Sequence, residues 1–429
     1  SSRQVVRNSL SSSRLVATTG YSRMPPDPMT TSSITAPSRA PTNRDENWKY
    51  ANLRALSRVS FDVVPSDQTT NKVNFELPAK TTECRLVLVD GQFSSALSDA
   101  PPHDAELKLD PRPLQIEGVS IDHHYLNLNR RARHETLQLR VLPRQSVELE
   151  ILHVATGSGQ PAIEVQVESG AELTLIERHI ALGTATAATN LALDIRLAEH
   201  AKLHLARWQH YASPAVYIET LNLGLGVSSE CDLTQITSAD RSDTVVSSRS
   251  TVFVTHAGEG AQLHWNSAVI ADGQQQHDAY VRIDHQARRV QTHQLFRGIA
   301  SGRSKIGFNG HMLVGASAHG THSGQSLKTL LAGHEAEANV RPQLEIYTNE
   351  VTATHGATVG KLDADMLFYL LSRGIDPGTA ESLLKWAFVS DVLTHLPSAE
   401  LRHQIEASLV RQLPGAIAAR DSSAQEKDR

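Results

Sequence analysis

Four stretches of the chain recur at a fixed spacing. Ala171-Glu172-Leu173-Thr174-Leu175 is matched by Ala201-Lys202-Leu203-His204-Leu205, more weakly by Cys231-Asp232-Leu233-Thr234, and well by Ala261-Gln262-Leu263-His264-Trp265. Each begins 30 residues after the one before. A small residue followed by alternating apolar positions at constant period marks a β-solenoid, in which every turn buries its inward leucines against the turns above and below. Strands of roughly 5–6 residues plus turns give about two strands per turn. A β-sandwich with fortuitous spacing is the alternative arrangement, and equal offsets favour the coil. The strand pattern continues through 281–283, 291–296, 305–313 and 343–347.

The flanks read differently. Residues 1–45 are rich in Ser, Thr, Arg and Pro and poor in large apolar side chains, so they are expected to be a disordered tail. The same composition also suits an organelle transit peptide, although no amphipathic pattern runs through it. The first residue is Ser rather than Met, which points to trimming. Residues 46–145 are expected to form an N-terminal α/β segment in which CRLVLVD (84–90) is a buried strand and Asp90-Gly91 a tight turn into Gln92-Phe93. The stretch 123–140 is ambiguous between helix and strand. The β-helix core then occupies 146–361 and a helical domain 362–429.

The segment 341–374 joins sheet to helix. Leu344, Ile346 and Val351 alternate with polar residues, as in a strand. Asp363 opens a helix carrying Met366, Leu367, Leu370 and Leu371, and Gly374 sits where a C-terminal cap is expected. His355 and Gly356 fall between, which places an imidazole at the junction. Asp376-Pro377 starts a second helix, with Ala380, Leu383, Leu384, Ala387 and Phe388 as its apolar stripe. A third helix fits 398–413, and the tail beyond Ala419 reads as loose. Helices with exposed apolar stripes suggest a docking module.

Composition removes several function classes. With 41 Lys plus Arg against 46 Asp plus Glu the formal charge is −5, which gives no electrostatic case for nucleic acid. Sparse aromatics argue against a stacking platform for single strands. No apolar run approaches the roughly 20 residues that span a bilayer. Two cysteines, Cys84 and Cys231, cannot build a disulfide framework, which suggests a reducing compartment. Nor can they hold an iron–sulfur cluster alone, since clusters usually take about four ligands. Both read as packing residues, Cys231 at the small-residue position of the repeat.

Motifs narrow the field further. There is no Walker-type phosphate loop or dinucleotide fingerprint, so the chain is not expected to hydrolyse nucleotide. The Gly-rich 298–310 reads as a solenoid turn. His311, His319, His322 and His334 fit no zinc spacing and are expected to line an exposed face. Asp363 and Asp365 could imitate a hydrolase dyad but more simply cap a helix and meet the positive end of its dipole. Most of the 21 histidines are expected to be bland, and His355 taken alone reads as a satisfied strand residue, although a neutral ring could bind iron or relay protons.

PQLEIY (342–347), HGATVGKLD (355–363) and FYLLSRGI (368–375), with ENWKY (46–50), LVLVDG (86–91) and FNG (308–310) upstream, resemble the SufD branch of the SufB/SufD family of iron–sulfur cluster assembly scaffolds. The resemblance implies a mainly β protein with a right-handed parallel β-helix between an N-terminal segment and a C-terminal helical domain. It implies a non-catalytic subunit that pairs with SufB through the β-helix edges and binds the SufC ATPase through its C-terminal helices. His355 matches the family histidine at the interface with SufB. Phe368, Tyr369 and Arg373 fall in the region resembling the ATPase-docking segment. No cofactor is expected on this chain alone. A transient iron–sulfur cluster, with His355 as a shared ligand, would form with the partner, which is sensible for one imidazole joined by partner thiolates. Many family members carry a cysteine two residues before this histidine, where this chain has Ala353. A cytoplasmic location is expected, or a plastid stroma if the tail is a transit remnant, and a homodimer is possible without partners. A solenoid carbohydrate-active enzyme is the competing class, but neither a secretion signal nor an acidic cluster on one face supports it. Flavin binding within the complex has no motif here.

Overall fold

A computed structural model describes residues 39–61, 76–116, 124–132, 135–240 and 243–413. Most of the expected N-terminal tail and the segment beyond Ala419 lie outside these residues. Among residues 39–45, Asp45 accepts hydrogen bonds from the Thr42 backbone and hydroxyl and pairs with Arg39.

Strands dominate, and they wind as a coil of about seven turns. Two ten-stranded sheets face each other, and from Glu172–Ala181 onward successive strands alternate between them. One sheet, sheet A, runs from the hairpin strands Arg85–Val89 and Gln92–Phe93 to Val351–Gly360; the other, sheet B, runs from Ala105–Asp110 to Glu337–Ile346. Only the two N-terminal pairings are antiparallel. Strands from 85–89 and 136–141 lie parallel in the same sheets as the repeat, so the N-terminal segment is continuous with the coil. The ambiguous stretch 123–140 resolves into both structures, a helix at His124–Arg131 and a strand at Thr136–Val141. The Asp90-Gly91 turn forms as expected, with both residues at positive φ.

The inward leucines do what the repeat requires. Leu149, Leu175, Leu205 and Leu233 stack in register in sheet A and are at most 1 % exposed. The register also corrects the repeat. Leu173 pairs with Leu203, an offset of 30, but Leu203 pairs with Cys231 and Cys231 with Leu263. The third turn is therefore two residues short and the fourth two residues long. Cys231 takes a leucine position, and Ser229, fully buried, takes the small-residue position assigned to it. A two-residue slip keeps every side chain on its own face, so the inward pattern survives.

Residues of opposite parity on sheet A form a second apolar surface outside the coil. Ile176, Ala206, Trp208, Ile236, Ala268 and Ile299 pack against Val389, Val392, Leu393, Leu401, Ile405 and Leu409 of the helices Pro377–Leu393 and Ala399–Gln412. The stripe expected on the first of these is offset from the one observed. Ala380 is buried, but Ala387 is exposed and Leu383, Leu384 and Phe388 are half-buried, because the face that meets the sheet is set by Val389, Val392 and Leu393. On sheet B the ENWKY motif anchors the N-terminal segment: Arg249 lies 4.5 Å over the Trp48 ring, donates to the Asn47 carbonyl at 2.7 Å and pairs with buried Asp278.

Candidate functional site at the open end of the coil

The two ends of the coil differ. At the N-terminal end, antiparallel strands close both sheets. At the other end, Glu337–Ile346 and Val351–Gly360 are the last strands of their sheets and carry no further partner among the described residues. Unpaired N–H and C=O rows are a template for another chain. Among the described residues, seven of the eleven exposed large hydrophobics fall between Ile346 and Leu371, including Tyr347, Val359, Met366, Phe368 and Tyr369. The last turn is thus both unpaired and apolar, the combination that marks an interaction surface.

His355 lies in the middle of Val351–Gly360, not at the strand-to-helix junction where its place between the strand pattern of 344–351 and the helix opened by Asp363 puts it. It is exposed, and it shares its face with Ala357, which packs on the inner core. The register stacks it at the end of a column that begins apolar and ends polar: Leu233, Trp265, Gln294, Gln325, His355. Gln325 donates to Gln294 Oε1 at 2.6 Å beneath it. The polar end of this column depends on Gly310 of the FNG motif, where a Cβ would run into the Gln325 amide and approach the Phe308 ring. Gly310→Ala is expected to displace Gln325 and to destabilise the fold by roughly 1–3 kcal/mol, read by urea denaturation. A stability within a few tenths of wild type would show that Gln325 moves freely.

Asp363 caps the helix Ala364–Ser372 as the sequence predicts, accepting from the Asp365 and Met366 amides, and Gly374 ends it at φ +84°. No residue of this helix is buried. Phe368 is 72 % and Tyr369 53 % exposed, with the Arg373 guanidinium 5.2 Å over the Tyr369 ring. These three residues belong to the exposed helix, while His355 lies on the last strand.

The chain's thiols are not available for ligation. Burial raises the Cys84 and Cys231 pKa values above the ordinary thiol range, so both stay protonated near neutral pH. The four histidines weighed as a metal group do not assemble. His311 and His319 are half-buried rather than exposed, the first meeting Glu345 at 3.1 Å and the second sharing a 2.8 Å hydrogen bond with Thr348, while His322 and His334 are exposed at separate places. Among the described residues, one trio of donors is close enough to share an ion, and sequence reasoning missed it: His153, Glu177 and His179, all buried in the lumen. The available signal was parity, because Glu177 and His179 continue the inward positions of Leu173 and Leu175.

Comparisons agree with this architecture. A family model described as the SUF system FeS cluster assembly SufBD core domain matches residues 152–388. The iron–sulfur cluster assembly protein SufD of Escherichia coli strain K12 is 26 % identical over 400 residues, covering 87 % of this chain and 90 % of that protein. The SufBD family protein slr0076 of Synechocystis is 26 % identical over 405 residues, 86 % of each chain. Protein ABCI7, chloroplastic, of Arabidopsis thaliana is 27 % identical over 246 residues, 57 % of this chain and 51 % of that one. No helix among the described residues is long and apolar enough to cross a membrane. The matched core spans more than half of the chain, coincides with the coil and reaches into the helices packed on it: the chain belongs to the SufBD family of iron–sulfur cluster assembly proteins, with SufD proteins among its relatives.

Proposed function

We propose that this chain is a non-catalytic scaffold subunit of SufD type. It pairs through its last turn with a SufB-type coil and offers its exposed helix Ala364–Ser372 to a SufC-type ATPase. The observation that carries this reading is the coincidence of two unpaired sheet edges, an exposed apolar helix and one exposed imidazole at a single end of the coil. The nascent cluster is the cargo; His355 supplies one ligand while partner thiolates supply the others, because this chain's own thiols are buried and protonated. Without partners, the same open edges favour a homodimer. The assembly works in the cytoplasm, or in a plastid stroma as the chloroplastic relative suggests.

A pull-down from the native source with mass spectrometry of the bound proteins tests the reading. A paralogous coil and an ABC-type ATPase are expected; recovery of the chain with neither overturns it. Phe368→Glu and Tyr369→Glu together should reduce ATPase recovery at least about tenfold. Their exposure predicts a stability change within about 0.5 kcal/mol, so lost recovery from a folded variant isolates docking.

A further inference from the structure

The trio in the lumen lies at the end of the coil remote from His355, and the inference does not depend on the partner reading. Glu177 and His179 stand two residues apart on Glu172–Ala181, so both face inward. The register puts His153 directly beside His179, and the two rings stack at 4.2 Å between centroids with planes 8° apart. The stack brings both imidazole Nε2 atoms close to one oxygen: each lies 3.1 Å from Glu177 Oε1.

The three atoms meet without a well-formed hydrogen bond, and the Nδ1 atoms have no hydrogen-bond partner either among the described residues. Orphaned buried polar atoms are costly and rare, and five at one point call for a missing partner. The charges also leave one unmatched. Arg207 engages Glu177 through the other carboxylate oxygen, Oε2, at 2.5 Å and grips Glu219 with two bonds at 2.7 and 3.1 Å. One guanidinium thus faces two buried carboxylates, and Glu177 Oε1 meets only the two imidazoles.

We infer that His153 Nε2, His179 Nε2 and Glu177 Oε1 bind one divalent transition-metal ion of the zinc, cobalt(II) or iron(II) kind inside the coil. Two imidazoles and a carboxylate are donors that suit these metals rather than calcium or magnesium, and three protein ligands leave one tetrahedral position open. A cavity of about 20 Å³ adjoins the rings, lined by His153, His179, Tyr211 and Tyr217 among others. It has room for one water beside the two rings. Tyr211 lines this space, and its buried hydroxyl has no hydrogen-bond partner among the described residues, so it is a candidate partner for a water there. The metal sits where no partner protein reaches it, which distinguishes it from a cluster bound at the open end.

The test uses the tag-free full chain, stripped with chelator and titrated with cobalt(II). One equivalent with a tetrahedral absorption spectrum is expected in wild type. His153→Gln and His179→Gln should each weaken binding at least tenfold, whereas His355→Ala should leave it unchanged. Absence of saturable binding to folded wild type, or equal binding by the variants, overturns the inference. If the lumen variants fail to fold, cobalt-edge X-ray absorption on wild type decides. Two imidazoles with oxygen donors support the site, and an all-oxygen shell of six ligands overturns it.

Discussion

Replacing Arg207 with methionine is expected to cost the fold about 3–5 kcal/mol at neutral pH, the range for removing one member of a buried charge network. The side chain is completely buried and bonds to Glu177 and Glu219, and Glu219 also accepts from the Tyr217 hydroxyl at 2.5 Å. Burial, the largest influence, opposes ionisation of both carboxylates, but the Arg207 guanidinium together with the two imidazoles at Glu177 and the Tyr217 hydroxyl at Glu219 outweighs it, so both pKa values lie below the usual carboxylate range. Groups with depressed folded pKa values contribute stability that is present above the unfolded value, near 4.5, and is lost as pH falls through the folded one. Without Arg207 the sign reverses: burial then dominates and the carboxylates resist ionisation, so the variant is penalised most at neutral pH and recovers toward wild type as acid protonates them. Urea denaturation at pH 7.5 and pH 4.5 measures both arms. Adding Glu177→Leu and Glu219→Leu to Arg207→Met should restore much of the loss, because an apolar replacement of a whole buried network is often neutral. A deficit below about 1 kcal/mol, the same at both pH values, would mean that the network contributes packing alone.

This network and the coil around it were not equally visible in the sequence. The coil was visible because its signal is periodic: small residues and inward leucines recur wherever a turn must bury the same face. The two-residue slip at Cys231 was hidden for the same reason. Parity is preserved when the offset passes from 30 to 28 to 32, so the apolar alternation does not reveal which leucine meets which. His153, Glu177 and His179 escaped because their meeting depends on that unseen register. His153 pairs with His179 across an offset of only 26, outside the repeat as aligned. The strand Thr321–Leu331 was also passed over, since Thr, Ser, Gly, Gln and Lys occupy most of it and only its neighbours in the stack hold it. Helix ends were legible down to the residue. Asp363 and Asp376 cap through local hydrogen bonds that need no tertiary context. The buried face of Pro377–Leu393 depends on which side meets the sheet, and that was not legible from the helix alone.

Substituting His355 with alanine is expected to leave the coil and its partners in place while reducing cluster formation about tenfold or more. The ring is exposed on an edge strand, and its neighbour in register, Gln325, donates its hydrogen bond to Gln294 Oε1 rather than to the imidazole. Truncation therefore removes no buried contact, and the stability change should stay within about 0.5 kcal/mol. Loss of a contributed ligand is different in kind. With Ala353 two residues earlier on the same face and both cysteines buried, no other side chain among the described residues of this chain supplies an imidazole or thiolate at that point of the rim. Iron and acid-labile sulfide measured on the reconstituted complex give the yield, and His334→Ala, an exposed histidine elsewhere, is the control. His355→Cys separates the two chemical roles. A thiolate is a good iron ligand, so partial recovery in His355→Cys means that the imidazole binds the cluster. No recovery in His355→Cys, with recovery of His355→Ala by added imidazole, means that the ring moves protons instead. Full yield from His355→Ala in an intact complex would remove His355 from the assembly site and leave the open end of the coil as a docking surface only.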